Sequence, residues 1–136
     1  VRLARHQETG LELARWLASS DVYVSGMADE TFGVSIVEAQ ASGLPVVGVA
    51  AGAMIDRVDD SLGRLGPVGD SAAMAGNILS VLNGERREMA DRARACALEF
   101  SWDSSMEALF TRLYPAAFAH RAEQLRVAPA GAVLAA

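Results

Sequence analysis

Two glutamates, Glu30 and Glu38, stand with seven residues between them in "ADETFGVSIVEAQASGLPVVGV" (28–49), across a Phe32-Gly33 step that opens a helical pattern. An ionised carboxylate is acceptor-only and can take two hydroxyl hydrogen bonds at once, as a vicinal diol offers. A helix beginning near Gly33 presents free N–H groups and the positive end of its dipole, a seat for phosphate that requires no lysine. Gly33 allows a ligand close to the main chain. Glu38 falls about 7–8 Å along the helix axis from Gly33 and shares a face with Val34. Loop carboxylate, phosphate donors and second carboxylate then match the order sugar, diphosphate, ribose. The plain alternative is a solvated loop charge and an ordinary exposed helix residue, because Glu is a common surface helix former. Against it, Glu38 is the one charge in "VSIVEAQA", where a solvent face should carry several.

These residues need a scaffold, and the rest of the chain reads as one. Residues 1–5 alternate weakly as a strand, and Thr9 stands three before Glu12 in a capping-box arrangement. Leu11, Ala14, Leu17 and Ala18 recur at helical spacing and predict a helix over 10–19. "VYVS" (22–25) predicts a short buried strand, 26–32 a loop and 33–41 a helix closed by Gly43. Pro45 forbids continuation, and "PVVGV" reads as a second buried strand. A short helix in "MIDRVDD", a strand at 62–65, and helices over 71–82 (capped by Asp70) and 85–99 follow. The last of these carries Met89, Ala93, Cys96 and Ala97 on one stripe. After "FSW", Asp103 or Ser104 caps a final helix reaching about 122, which Pro115 should kink.

Strand alternating with helix across short connections predicts an α/β fold: a Rossmann-like parallel sheet with helices on both faces. Three or four strands are fewer than a complete doubly wound domain holds, so the expectation is the second half of one. The domain is expected over 1–122, with a disordered tail over 123–136. In such a sheet ligands bind beyond the carboxyl ends of the strands, where the loop bearing Glu30 emerges.

The totals set limits. The 136 residues, 51% of them apolar, suffice for one packed domain. A net charge of −5 without any Lys/Arg run argues against a nucleic-acid partner. Cys96 is the single cysteine, so no internal disulfide forms; with only His6 and His120 beside it there is no zinc set, and no metal is expected. No apolar run reaches the length of a bilayer span. A reducing cytoplasm is the expected location, with Arg112, Arg121 and Arg126 a faint signal for a membrane surface. The chain starts at Val1 inside a predicted strand, which suggests a piece of a longer polypeptide. An edge strand at 1–5 and the stripe Met106, Leu109, Phe110, Leu113, Tyr114 and Phe118 predict a homodimer through one or the other.

The segment "ETFGVSIVEAQASGLPVVGV" resembles the signature of the family 4 glycosyltransferases, also called glycosyltransferase group 1, of the GT-B fold. That signature is a glutamate, an aromatic-glycine step, a second glutamate after seven residues, then A-x-A-x-G-x-P-V-V. Glu30, Phe32-Gly33, Glu38-Ala39, Ala41, Gly43 and Pro45-Val46-Val47 fill its places. "LARWLASSDVYV" upstream, and "GD" (69–70), "MAGNILSVL", "RREMADRARA" and "FSW" downstream, extend the likeness over roughly 9–114. The resemblance implies the C-terminal donor-binding part of an enzyme that moves a sugar, with retention, from a UDP- or GDP-sugar and without a cofactor or obligatory metal. It implies that Glu30 contacts donor-sugar hydroxyls and serves the catalytic step by positioning the sugar. The amides around Phe32, Gly33 and Val34 would meet the diphosphate and Glu38 the ribose, with Thr31 also counted among the substrate-binding residues. Two departures stand out: no segment corresponds to the family's upstream basic pair, and the N-terminal acceptor domain has no counterpart here. The chain alone is therefore expected not to turn over. A non-catalytic nucleotide-binding or interaction module is the alternative.

Ser25, Gly26 and Met27 lie at the same predicted sheet edge and could shape the sugar pocket, with packing the simpler role for Met27. Gly52 and Ala53 fit either a backbone approach to ligand or a plain turn. His6 reads as a solvated loop residue, His120 as a cation suited to its helix end, and Trp102 as a packing residue where the last helix departs.

Overall fold

The computed structural model describes residues 10–84 and 86–127, with Val127 described in its backbone alone. The chain divides into two compact units, one through Glu99 and one from Phe100. In the first, α1 (Gly10–Ala18), β1 (Tyr23–Ser25), α2 (Val34–Ala41), β2 (Val46–Val49), α3 (Met54–Arg57), β3 (Gly63–Gly66), α4 (Ser71–Asn83) and α5 (Arg86–Leu98) follow one another. The strands form a parallel sheet in the order β1-β2-β3, with Tyr23 opposite Val46 and Val46 opposite Gly63. The α/β class and the parallel sheet are as expected. The strand and capping box proposed for 1–9, and His6, lie outside the described residues.

β2 is the centre because its neighbours flank it on both sides and its side chains alternate between faces. Val46 joins Ile36, Met54 and Val58, whereas Val47 joins Val81 and Met89. Thus α2 and α3 cover one face of the sheet, and α4 and α5 supply the cover of the other. Val46, Val47 and Met54 are fully buried, and each such side chain stabilises the fold by about 1.5–3 kcal/mol. At the C-terminal end of α2, Arg94 donates from Nη1 to the Ala41 carbonyl at 2.6 Å, so α5 satisfies a carbonyl the helix cannot.

The periphery departs from expectation. β1 was expected to be buried, yet Val24 is 44% exposed; among the described residues β1 has a neighbour on one side only. α1 buries no residue fully. Its half-buried pair is Leu13 and Leu17, one turn apart, while Leu11 faces out.

The second unit is helical: α6 (Trp102–Ala108), a π-helical segment (Leu109–Leu113) and α7 (Tyr114–Val127). Its cap is neither Asp103 nor Ser104 but Ser101, whose extended backbone lets Oγ accept from the Ser104 N–H at 3.0 Å. Pro115 does not end the helix. A regular turn would drive its ring into the Thr111 carbonyl and leave that carbonyl without its donor; the wider π turn, Leu109–Leu113, lies just before it. α7 continues past 122, so residues 123–127 are helical rather than part of a tail. Trp102 is 80% exposed, against its expected packing role. Phe110, Tyr114 and Phe118 form a ladder with ring centroids 5.5 and 6.3 Å apart. Among the described residues, no helix is long and apolar enough to cross a membrane.

Candidate functional site

Because the strands are parallel, the segments after β1 and β2 leave the sheet at the same edge. The first carries Glu30, Thr31, Phe32 and Gly33 into α2. Gly33 adopts φ 83°, a left-handed conformation that side chains disfavour, and a Cβ there would sit 2.7 Å from Ile36 Cδ1. Its carbonyl accepts from the Ile36 and Val37 N–H groups, both at 3.0 Å. Val34 and Ser35 open the helix, so their amides have no partner in its own ladder.

The approach to this tip is tied down by its neighbours. Glu30 folds back so that Oε1 accepts from the Gly33 N–H at 3.2 Å. One of the amides assigned to the diphosphate is therefore occupied by the carboxylate assigned to the sugar. The Glu30 carbonyl accepts from the Ala53 N–H at 2.8 Å. Gly52, with φ 53°, makes that contact feasible: a Cβ on it would fall 2.6 Å from the Glu30 carbonyl oxygen and 3.0 Å from that of Ala28. Gly52 and Ala53 hold protein backbone here.

Two residues that the sequence did not single out complete the support. Arg57, the last residue of α3, donates from Nε to the Phe32 carbonyl at 3.1 Å, and its guanidinium lies 4.4 Å from the centroid of the Phe32 ring. Gln40 donates from Nε2 to the Arg57 carbonyl at 2.8 Å. Gln40 is fully buried, and its Oε1 has no hydrogen-bond partner among the described residues. Leaving such an acceptor unsatisfied costs about 1–3 kcal/mol; an apolar residue would avoid that cost but could not hold Arg57. A signal was present in "VSIVEAQA", which contains two polar side chains longer than serine. The apolar surroundings pointed to Glu38, whereas the buried one is Gln40.

Glu38 is exposed, as is Val34 on the same helix face. The expectation that the apolar helix keeps Glu38 off the surface is corrected accordingly. It lines a shallow pocket of about 220 Å³ together with Gly10, Leu13, Ala14 and Leu17 of α1, Ala41 of α2 and Ser42 just after it. The structure gathers Glu30, Thr31, Phe32, Gly33 and Val34 at the helix tip and sets Glu38 on the flank facing α1. Thr31 and Phe32 are exposed, Glu30 partly so. Ser25 accepts from the Met27 N–H at 3.3 Å, and Met27 is 55% exposed rather than packed. Among the described residues, no group of three or more His, Cys, Asp or Glu is placed to hold a metal ion. On the turn before β3, the Ser61 hydroxyl and amide bond to Asp59 and hold its carboxyl below the usual aspartate value.

Comparison with known proteins returns one family. The family described as Glycosyl transferases group 1 matches residues 1–84. The chain is 35% identical over 91 residues to a phosphatidyl-myo-inositol mannosyltransferase of Propionibacterium freudenreichii, covering 64% of this chain and 24% of that protein. It is 37% identical over 123 residues to a D-inositol 3-phosphate glycosyltransferase of Geodermatophilus obscurus, covering 89% and 26%. The solved structure of a sucrose-phosphate synthase from Thermosynechococcus elongatus matches with a TM-score of 0.67 at 28% identity, over 77% of this chain and 28% of that one. The chain spans about a quarter of the length of these relatives.

Proposed function

The chain belongs to the group 1 glycosyl transferases, and from that premise we propose that its first unit is the donor-binding part of a retaining enzyme that uses a UDP- or GDP-sugar. The observation carrying this is the α2 tip: amides that the helix ladder does not use, at the carboxyl edge of a parallel sheet, with Glu30 folded onto that of Gly33 and Glu38 beyond. The donor diphosphate replaces the Glu30 carboxylate on the Gly33 N–H and takes up the Val34 and Ser35 amides as well. Those donors are fixed before the reaction, so they stabilise charge building on the leaving diphosphate without reorganising. Glu30, once displaced, turns to the hydroxyls of the donor sugar and orients it, a proximity contribution. Glu38 takes the ribose diol in the pocket beside α1.

Transfer itself belongs to a longer protein, in which an acceptor-binding domain faces this edge. The isolated chain binds donor but does not turn over, and sugar transfer by this chain alone would contradict that. Titrating UDP and GDP separately into the 15N-labelled chain tests the site. Amide shifts across 32–38 that are lost in Glu38→Ala support a donor site. Shifts confined to other segments support a binding module of another kind.

A further inference from the structure

We propose that Arg57 is a positioning residue for the donor diphosphate, setting the Phe32-Gly33 backbone from which the α2 amides project. The assignment deepens the donor-site reading and rests on it. Arg57 is fixed at its backbone before its side chain acts. Its N–H donates to the Ala53 carbonyl at 3.1 Å, and its own carbonyl is held by the buried Gln40 amide. Its side chain then grips Phe32 in two ways, through Nε on the carbonyl and through the guanidinium plane over the ring. The exposed ring of Phe32 has that plane as a partner one step before Gly33, the residue that must hold a left-handed φ for the helix to start. Gln40, Arg57 and Phe32 thus form a strut from the interior of α2, through α3, back to the start of α2.

Planarity is what distinguishes this role from a mere positive charge. A guanidinium can stack on a ring and donate in its own plane at the same time, whereas a lysine ammonium is a point charge on a flexible stem. If Arg57 only supplied positive potential to the helix tip, lysine would serve. If it sets the backbone, lysine will not.

The test compares wild type, Arg57→Ala, Arg57→Lys and Gln40→Met for binding of UDP and GDP against the corresponding nucleosides, with 15N spectra of each apo chain. Loss of one stacked, charge-assisted contact is expected to weaken diphosphate binding roughly tenfold in both Arg57 variants. Nucleoside binding should stay unchanged, and apo shifts should concentrate at Phe32, Gly33 and Val34. Gln40→Met, which leaves surface charge untouched, should produce the same pattern in weaker form. Diphosphate affinity within twofold of wild type in Arg57→Ala, or full rescue by Arg57→Lys, overturns the assignment while leaving the donor site standing. Wild type that binds neither nucleotide overturns the donor-site reading and this assignment with it.

Discussion

The tip of α2 and its outer flank are built differently. At the tip, Glu30, Ala53 and Arg57 each bond to the short stretch that leads into the helix, and Ile36 anchors the first turn in the core. On the flank, Glu38 looks across a shallow pocket at α1, a helix without one fully buried residue. The tip, proposed as the diphosphate end of the site, is therefore held in place by protein contacts. The flank proposed for the ribose is lined by a helix with only half-buried contacts. Preorganisation matters most where charge develops, and the braced end is the one proposed to meet the diphosphate.

The largest effect should come from pushing the brace away. Gly52→Val introduces a Cβ against the Glu30 and Ala28 carbonyls at a left-handed φ. It should cost about 2–4 kcal/mol in denaturant unfolding and abolish nucleoside diphosphate binding together with the Gly33 shift. A paired truncation sharpens the contrast. Ile36→Ala, at 1% exposure in the core under the tip, should destabilise by about 3 kcal/mol. Leu13→Ala on α1 should cost less than about 1 kcal/mol while loosening the ribose side. Equal costs for the two would erase the distinction between the ends.

Much of this scaffold was legible in the sequence, for identifiable reasons. β2 was readable because "PVVGV" between a proline and two glycines has few other fates, and α2 because Gly43 and Pro45 close it. Asp70 was readable as a cap, and its carboxylate does accept from the Ala73 N–H at 2.8 Å. The local placement of the candidate site was partly legible. Spacing put Glu30 and Gly33 at the start of α2 and Glu38 on its flank, since those positions are set by local geometry. It did not find Arg57 or Gln40, because their partners lie 25 and 17 residues away and nothing local marks them. Spacing also could not show that Glu30 would accept from the Gly33 N–H. The cap of the last helix was missed because Ser101, Asp103 and Ser104 are all competent residues within four positions, and only the extended backbone at Ser101 selects among them.

The smallest expected effect is on pH. Asp59, two residues beyond Arg57, has its carboxyl held below the ordinary 3.8 by hydrogen bonds from Ser61. A lowered folded-state value means the turn's contribution is fully present above about pH 4 and is lost as pH falls through that lowered value. Asp59 is exposed, so the loss should be slight. It should appear as a small drop in melting temperature below pH 4 in wild type, and be missing in Asp59→Ala.

That the Gly33 amide is a diphosphate donor held in waiting by Glu30 is tested by following that one resonance while inorganic pyrophosphate is titrated into wild type and Glu30→Ala. Gly33 is expected to shift on binding in wild type, its apo resonance to be already displaced in Glu30→Ala, and the variant to bind pyrophosphate more tightly because a competing carboxylate is gone. A Gly33 resonance that ignores the ligand, or a variant that binds pyrophosphate more weakly, would contradict it.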